Sequence, residues 1–77
     1  MEYGVIIFFT TSAVMKAEKL LQNEGMRIKL IPTPREFSSD CGISLQFQWN
    51  DLEKIKTSLA KAKLEYDSIN PLKKVTY

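Results

Sequence analysis

The chain has 77 residues, with one cysteine and no histidine, and these counts exclude most catalytic chemistry. Without histidine there is no Ser-His-Asp or Cys-His nucleophile pair and no imidazole ligand for a metal, and a single thiol cannot form an intrachain disulfide or a CxxC redox pair. The 11 Lys and Arg residues against 9 Asp and Glu give a net charge of +2, which is too small to indicate nucleic acid or an anionic membrane as the partner.

The first predicted elements are a strand, a helix and a second strand. The run from Tyr3 to Phe9 is rich in β-branched and aromatic residues and apolar on both faces, which predicts a central strand. Thr10 and its neighbouring hydroxyl residues can cap the following helix, and Gly25 suits its C-terminus. The apolar positions of this helix follow the 3.6-residue period: Ala13, Val14, Ala17, Leu20 and Leu21. Alternation from Met26 to Ile31 then predicts a strand with one solvated face.

The second half repeats the order strand, helix, strand after an irregular stretch from Pro32 to Cys41. Alternation from Gly42 to Gln48 predicts a strand, with its outward positions at Ser44, Gln46 and Gln48. Asn50 or Asp51 can cap the next helix, whose apolar stripe comprises Leu52, Ile55, Leu59 and Ala62. A last strand is predicted from Leu64 to Ile69, before Pro71 interrupts it. Residues 73–77 pair as a short edge strand or fray, and the sequence does not decide between these.

The order β-α-β-β-α-β predicts an α+β fold: a ferredoxin-like two-layer sandwich with a four-stranded antiparallel sheet and two helices on one face. The other sheet face would then expose alternate apolar residues of the first strand. Such an open apolar face on a small protein indicates a partner or self-association surface. Ser44, Gln46 and Gln48 stand where RNA-binding proteins of this topology place stacking aromatic residues, so RNA binding is disfavoured.

The length of the chain leaves room for one core, so we expect a single domain over residues 1–77. A chain of this size buries only roughly 60% of its unfolded surface, and without disulfide or metal, regular packing or a homodimer must supply the remaining stability. The apolar run from Val5 to Phe9 is too short to span a membrane. A lone cysteine and no export signal favour the cytoplasm. We expect no cofactor and no metal.

The connection from Pro32 to Gly42 is the most informative segment for function. Two antiparallel strands need only two connecting residues, and long ordered loops are enriched in functional sites. Ser38, Ser39 and neighbouring Asp40 can hydrogen-bond to backbone amides and hold the end of the loop in one shape. Gly42 has no side chain, so a ligand or partner could approach the backbone closely.

Cys41 lies at the end of this loop and is the candidate nucleophile. A thiol reacts as the thiolate, which a nearby cation or oriented amides favour and a nearby carboxylate disfavours. Arg35 is the nearest cation in sequence, whereas Asp40 is adjacent to Cys41 and acts in the opposite direction. The alternative, which is the commoner role for a single cysteine before a strand, is a small buried hydrophobic residue.

The segment from Leu30 to Gly42, with its Pro-Arg-Glu, Ser-Ser and Cys-Gly elements, resembles a family of small bacterial proteins described as selenium/sulfur carrier-like. Ala17 to Leu21 and Asp51 to Lys54 extend the resemblance over nearly the whole chain. It implies that Cys41 accepts a sulfur or selenium atom as a persulfide or selenyl sulfide and passes it to a partner protein. Adjacent Asp40, and the lack of the histidine that relatives often carry after Ser12, depart from the family pattern.

A carrier needs one accessible sulfur, a loop that presents it, and a surface that docks donor and acceptor proteins. In this hypothesis Arg35 offsets the charge of a terminal persulfide, and Ser38, Ser39 and the backbone near Gly42 support the anion. The alternative function is a non-catalytic module that binds a small ligand or a protein through the loop at residues 32–42 and the open sheet face. A carrier or a binding protein is favoured over a self-contained enzyme.

Overall fold

A computed structural model describes residues 3–37 and 41–72 of the chain. The elements follow the predicted order β-α-β-β-α-β, with a turn of 3-10 helix at Trp49–Asp51 before the second helix. Their bounds are β1 Tyr3–Ile7, α1 Thr11–Asn23, β2 Ile28–Pro32, β3 Ile43–Gln48, α2 Leu52–Lys61 and β4 Ser68–Leu72. Residues 73–77, for which the sequence leaves an edge strand or a frayed end open, lie outside the described residues.

The four strands form one antiparallel sheet in the order β2-β3-β1-β4. In the register, Ile6 pairs with Leu45 of β3 and with Ile69 of β4, and Leu30 of β2 also pairs with Leu45. The two strands that flank each helix are therefore separated by another strand, which is the split βαβ arrangement of a ferredoxin-like sandwich. The predicted fold class is confirmed.

Helix α1 begins and ends with the signals that the sequence contains. The Thr10 hydroxyl accepts a hydrogen bond from the Ala13 amide at 3.1 Å, so Thr10 is the N-cap. Gly25 has a φ of 81°, the left-handed conformation that ends many helices. The Gly25 amide then donates to Gln22 O at 3.0 Å and the Met26 amide to Leu21 O at 3.1 Å. These two bonds form a Schellman motif, which satisfies carbonyl groups that the helix leaves unpaired.

Helix α2 begins differently from the prediction. Asp51 is the N-cap residue, but its side chain makes no capping hydrogen bond, and the turn of 3-10 helix precedes it. Asp51 therefore occupies a predicted N-cap position, but the side-chain hydrogen bond expected of a cap is absent. Along the helix Ile55 and Leu59 are buried as predicted, whereas Ala62 is exposed.

The main core lies between the helices and one face of the sheet. Its buried residues are Ile6, Phe8, Val14, Ala17, Leu21, Cys41, Leu45, Phe47, Ile55 and Leu59. The Phe47 ring stacks on Trp49 with 5.8 Å between the ring centroids. Both rings lie over Gly4, where a Cβ would stand only 2.5 Å from Phe47 Cζ and 2.6 Å from Trp49 Cε3. Glycine at this strand position thus makes room for the aromatic pair.

The apolar residues of β1 on the opposite sheet face are covered, so the prediction of an open apolar face is wrong. Val5 and Ile7 are 0% and 1% exposed, and they form a second core cluster with Ile31 and Leu72. Phe37, from the loop after β2, packs against this cluster together with Tyr3. The argument for self-association through an exposed sheet face is therefore lost.

The polar side of β3 is also less solvated than predicted. Ser44 is 0% exposed and Gln46 is 8% exposed, although their alternation places them away from the helices. Gln48 is half-buried. The alternation of apolar and polar residues correctly assigns each residue of β3 to one of its two faces. The face away from the helices, however, is covered as well.

The last strand lies further along the chain than predicted. Leu64 and Tyr66 precede β4 and pack against the main core from the connecting segment. Pro71 belongs to the strand and pairs with Gly4. Proline is tolerated there because β4 is an edge strand, which has one side without a neighbouring strand. The predicted strand over Leu64 to Ile69 is therefore wrong in its position.

Candidate functional site

Cys41 lies where the long loop joins β3, on the side of the sheet that the helices cover. Its side chain is 3% exposed and packs in the main core with Phe8 and Leu45. The thiol donates a hydrogen bond to the Ile43 carbonyl at 3.1 Å. The sulfur is therefore enclosed in the described conformation, as the alternative interpretation of a small buried hydrophobic residue requires.

The two ends of the loop are tied together by Thr33. The Thr33 amide donates to the Gly42 carbonyl at 3.0 Å, which extends the β2-β3 ladder one residue beyond the pair of Pro32 and Ile43. The Thr33 hydroxyl donates to the Cys41 carbonyl at 2.7 Å. Thr33 thus holds the backbone on both residues of the Cys-Gly element.

A second hydroxyl completes this arrangement. Thr33 Oγ1 lies 2.7 Å from Ser44 Oγ. A hydroxyl has one proton to donate, and that of Thr33 is used on the Cys41 carbonyl, so Ser44 is the donor of this second bond. Ser44, Thr33 and the Cys41 carbonyl therefore form a chain of hydrogen bonds, which we call the loop neck. Since Ser44 is fully buried, water cannot replace this bond.

Arg35 lies in a turn that points away from the core. The Phe37 amide donates to the Pro34 carbonyl at 3.0 Å, which closes a four-residue turn with Arg35 and Glu36 at its corner. Both corner residues are exposed. In the described part of the chain no hydrogen bond or ion pair joins Arg35 to Cys41. The structure does not bring this cation to the thiol, and the role of Arg35 stays a prediction.

The other predicted site residues differ in how far the structure describes them. Gly42 is exposed, and a Cβ built on it would meet no atom within 4 Å. The backbone beside Cys41 is therefore open to an approaching molecule at this point. Ser38 and Ser39 lie outside the described residues, as does Asp40.

Thr33 and Ser44 are the residues of the site that the sequence did not single out. Ser44 looked like an ordinary outward position of β3, and Thr33 like a residue between two prolines. A hydroxyl residue directly after β2 and a second one near the start of β3 are a weak signal of a pinned loop. The contact between them depends on register, which the sequence alone did not define.

The arrangement combines a single sulfur, a loop whose ends are fixed, and a solvent-exposed turn. Residues 3–37 and 41–72 contain no cluster of three His, Cys, Asp or Glu side chains that could hold a metal ion. Neither helix of this part of the chain has the length and apolar character needed to cross a bilayer. Among the described residues of this arrangement, the Cys41 thiol is the candidate nucleophile.

Comparison with known proteins identifies the family of the chain. A family model described as "Putative Se/S carrier protein-like" matches residues 3–71, which includes every helix and nearly all of the sheet. No curated protein and no solved structure matches the chain significantly.

Proposed function

Because the chain belongs to the Se/S carrier protein-like family, we propose that it carries a sulfur or selenium atom on Cys41 and passes it to a partner protein. The position of Cys41 carries this proposal. It is the single cysteine of the chain and lies within the region that the family model matches. Its carbonyl accepts the hydrogen bond that pins the end of the loop. A carrier role needs one sulfur nucleophile and no acid-base pair, which agrees with a chain that has no histidine.

The transfer consists of two balanced thiol exchange steps. The Cys41 thiolate attacks the terminal sulfur of a persulfide donor, so a new sulfur-sulfur bond forms while the old one breaks and the donor leaves as a thiolate. An acceptor thiolate then attacks the terminal sulfur on Cys41 and releases the Cys41 thiolate. With a selenyl sulfide donor, selenium takes the place of the transferred sulfur. Neither step needs an external oxidant, because each attacking thiolate replaces a leaving one.

In this proposal the loop between Thr33 and Gly42 opens when Cys41 reacts. The thiol is 3% exposed in the closed conformation, so a donor of protein size cannot reach it there. Reaction requires the side chain to turn outward, which breaks the hydrogen bond from the thiol to the Ile43 carbonyl. The exposed backbone at Gly42 leaves room for the incoming group.

The experiment is intact-mass analysis after incubation with a small persulfide donor. The wild-type chain is expected to gain one sulfur atom, which a reducing agent removes, and Cys41→Ser is expected to gain none. Circular dichroism of Cys41→Ser serves as the folding control, since a serine hydroxyl can make the same bond to the Ile43 carbonyl. An unchanged wild-type mass, or a gain of sulfur that persists in Cys41→Ser, contradicts the proposal.

A further inference from the structure

A small pocket lies on the sheet face opposite the helices, at the edge formed by β2. It has a volume of about 180 Å³. Five polar residues line it: Tyr3, Arg27, Lys29, Gln46 and Gln48. The register explains why they meet, because Lys29 pairs with Gln46 and Tyr3 pairs with Gln48, and directly opposed residues project to the same face.

The pocket is positively charged. Arg27 and Lys29 are exposed on its rim, and no ion pair engages either of them in the described part of the chain. Among the described residues that line the pocket there is no Asp or Glu. Two unpaired cations without a neighbouring carboxylate favour an anionic ligand, and arginine can bind a carboxylate through two parallel hydrogen bonds.

Gln46 gives the second, independent indication of a ligand. It is 8% exposed, and its Oε1 atom is buried without a hydrogen-bond donor among the described residues. A buried acceptor without a partner costs stability and is rare in proteins. The last side-chain torsion of glutamine is soft, so the carboxamide can turn to meet a donor that enters the pocket. The ligand should therefore bring an N–H or O–H group.

The charge of the pocket decides between these donors. An ammonium group would be repelled by Arg27 and Lys29, whereas a hydroxyl group is neutral. The volume of the pocket suits a small molecule, such as an acid of a few carbon atoms. We propose that this pocket binds a small 2-hydroxycarboxylate, with its carboxylate on Arg27 and Lys29 and its hydroxyl on the Gln46 carboxamide.

This site is separate from the proposed sulfur chemistry. Cys41 packs in the core on the helix side of the sheet, near the first residue of β3, whereas the pocket lies on the other face near the last residues of that strand. Binding in the pocket is therefore expected to be unchanged in Cys41→Ser. If Cys41 takes up no sulfur, the pocket can still bind its ligand. If the pocket binds no ligand, Cys41 can still carry sulfur.

The test compares three probes of nearly equal size: L-lactate, propionate and L-alanine, which differ only at carbon 2. In titrations followed by nuclear magnetic resonance at low salt, lactate is expected to shift the side-chain amide signals of Gln46 and Gln48. Since one hydrogen bond to a buried group is worth about tenfold in affinity, lactate should bind about tenfold more tightly than propionate. Alanine should bind more weakly than lactate. Equal affinity for lactate and propionate, or tighter binding of alanine, overturns the proposal.

Three variants assign the roles of the side chains. Gln46→Met removes the carboxamide at nearly constant size, so it should abolish the preference for lactate over propionate without lowering the melting temperature. Lys29→Gln should weaken both acids, whereas Lys56→Gln, which makes the same charge change on the exposed side of α2, should weaken neither. A lactate preference that survives in Gln46→Met contradicts the proposal.

Discussion

The Thr33 hydroxyl makes both hydrogen bonds of the loop neck, and the Thr33 amide bonds the Gly42 carbonyl beside them. The hydroxyl accepts from buried Ser44 and donates to the Cys41 carbonyl, so both partners lose a hydrogen bond when it is removed. Valine has nearly the same shape but cannot make either bond. The loop neck therefore allows one substitution to separate hydrogen bonding from packing at the cysteine.

We expect Thr33→Val to destabilise the protein by about 1–3 kcal/mol, because it leaves buried polar groups without partners. The Cys41 thiol should also be alkylated faster, since the loop opens more readily. Urea unfolding and the rate of reaction with iodoacetamide measure the two effects. Thr57→Val is the matched control, because the Thr57 hydroxyl bonds the Glu53 carbonyl at an exposed site where water can replace it. Equal effects of the two substitutions would contradict a role for the loop neck.

Single polar residues of β3 show where sequence reasoning reaches its limit. The alternation of apolar and polar residues correctly assigned Ser44 and Gln46 to the face away from the helices. The alternation could not show that this face is covered. Part of the cover is Phe37, which reaches the face from the loop after β2. Solvation of a sheet face depends on such distant segments, which a local pattern does not encode.

At the scale of elements, the two helices end in the same motif with different residues. In α2 the Lys63 amide donates to Ala60 O at 3.1 Å and the Leu64 amide to Leu59 O at 3.0 Å, as Gly25 and Met26 do for α1. Lys63 has a φ of 57°, which is the left-handed region. Glycine makes the end of α1 evident in the sequence, whereas a lysine in the same position gives no such signal.

We expect Lys63→Gly to stabilise the protein by about 0.5–1 kcal/mol, because the left-handed conformation is unfavourable for a residue with a Cβ. The reverse change, Gly25→Ala, should destabilise it by about 1 kcal/mol through the backbone alone, since a Cβ there meets no atom within 4 Å. Thermal unfolding of the two variants measures both effects. A lower melting temperature for Lys63→Gly would show that its side chain matters more than its backbone.

The predicted bounds of a strand are accurate where a continuous apolar run or a clear alternation marks it, and inaccurate where a proline is the boundary signal. β1 and β3 differ from their predicted bounds by one or two residues. For β4 the prediction stopped before Pro71, since proline cannot donate to a ladder. The strand continues to Leu72 because an edge position does not require every amide. Whether a strand lies at the edge or in the centre of a sheet depends on how the whole chain folds. The residues around Pro71 alone therefore could not predict that β4 continues through this proline.

At the scale of the whole molecule, the sheet separates two apolar clusters that share no buried residue. The cluster on the helix side contains Cys41, and the smaller one on the other side receives Phe37 from the same loop. The loop is therefore anchored on both faces of the sheet, at Cys41 and at Phe37. Opening of the loop at Cys41 should therefore depend on how firmly Phe37 packs on the opposite face of the sheet.

We expect Phe37→Ala to cost about 1–2 kcal/mol of stability, since the ring is half-buried, and to accelerate alkylation of Cys41. Phe9→Ala is the matched control: Phe9 is 56% exposed, so its loss should change stability by less than about 0.5 kcal/mol. Urea unfolding and alkylation rates again give the comparison. An unchanged alkylation rate in Phe37→Ala would show that the two anchors act independently.

Both outer strands of the sheet contain a proline, Pro32 in β2 and Pro71 in β4. Unpaired edges ordinarily invite a strand from another molecule, which is a route to fibrils. A proline on each edge removes one backbone donor from the row that such a strand would use. An added strand would therefore lack one backbone hydrogen bond at either edge, which lowers the tendency of this sheet to grow by strand addition.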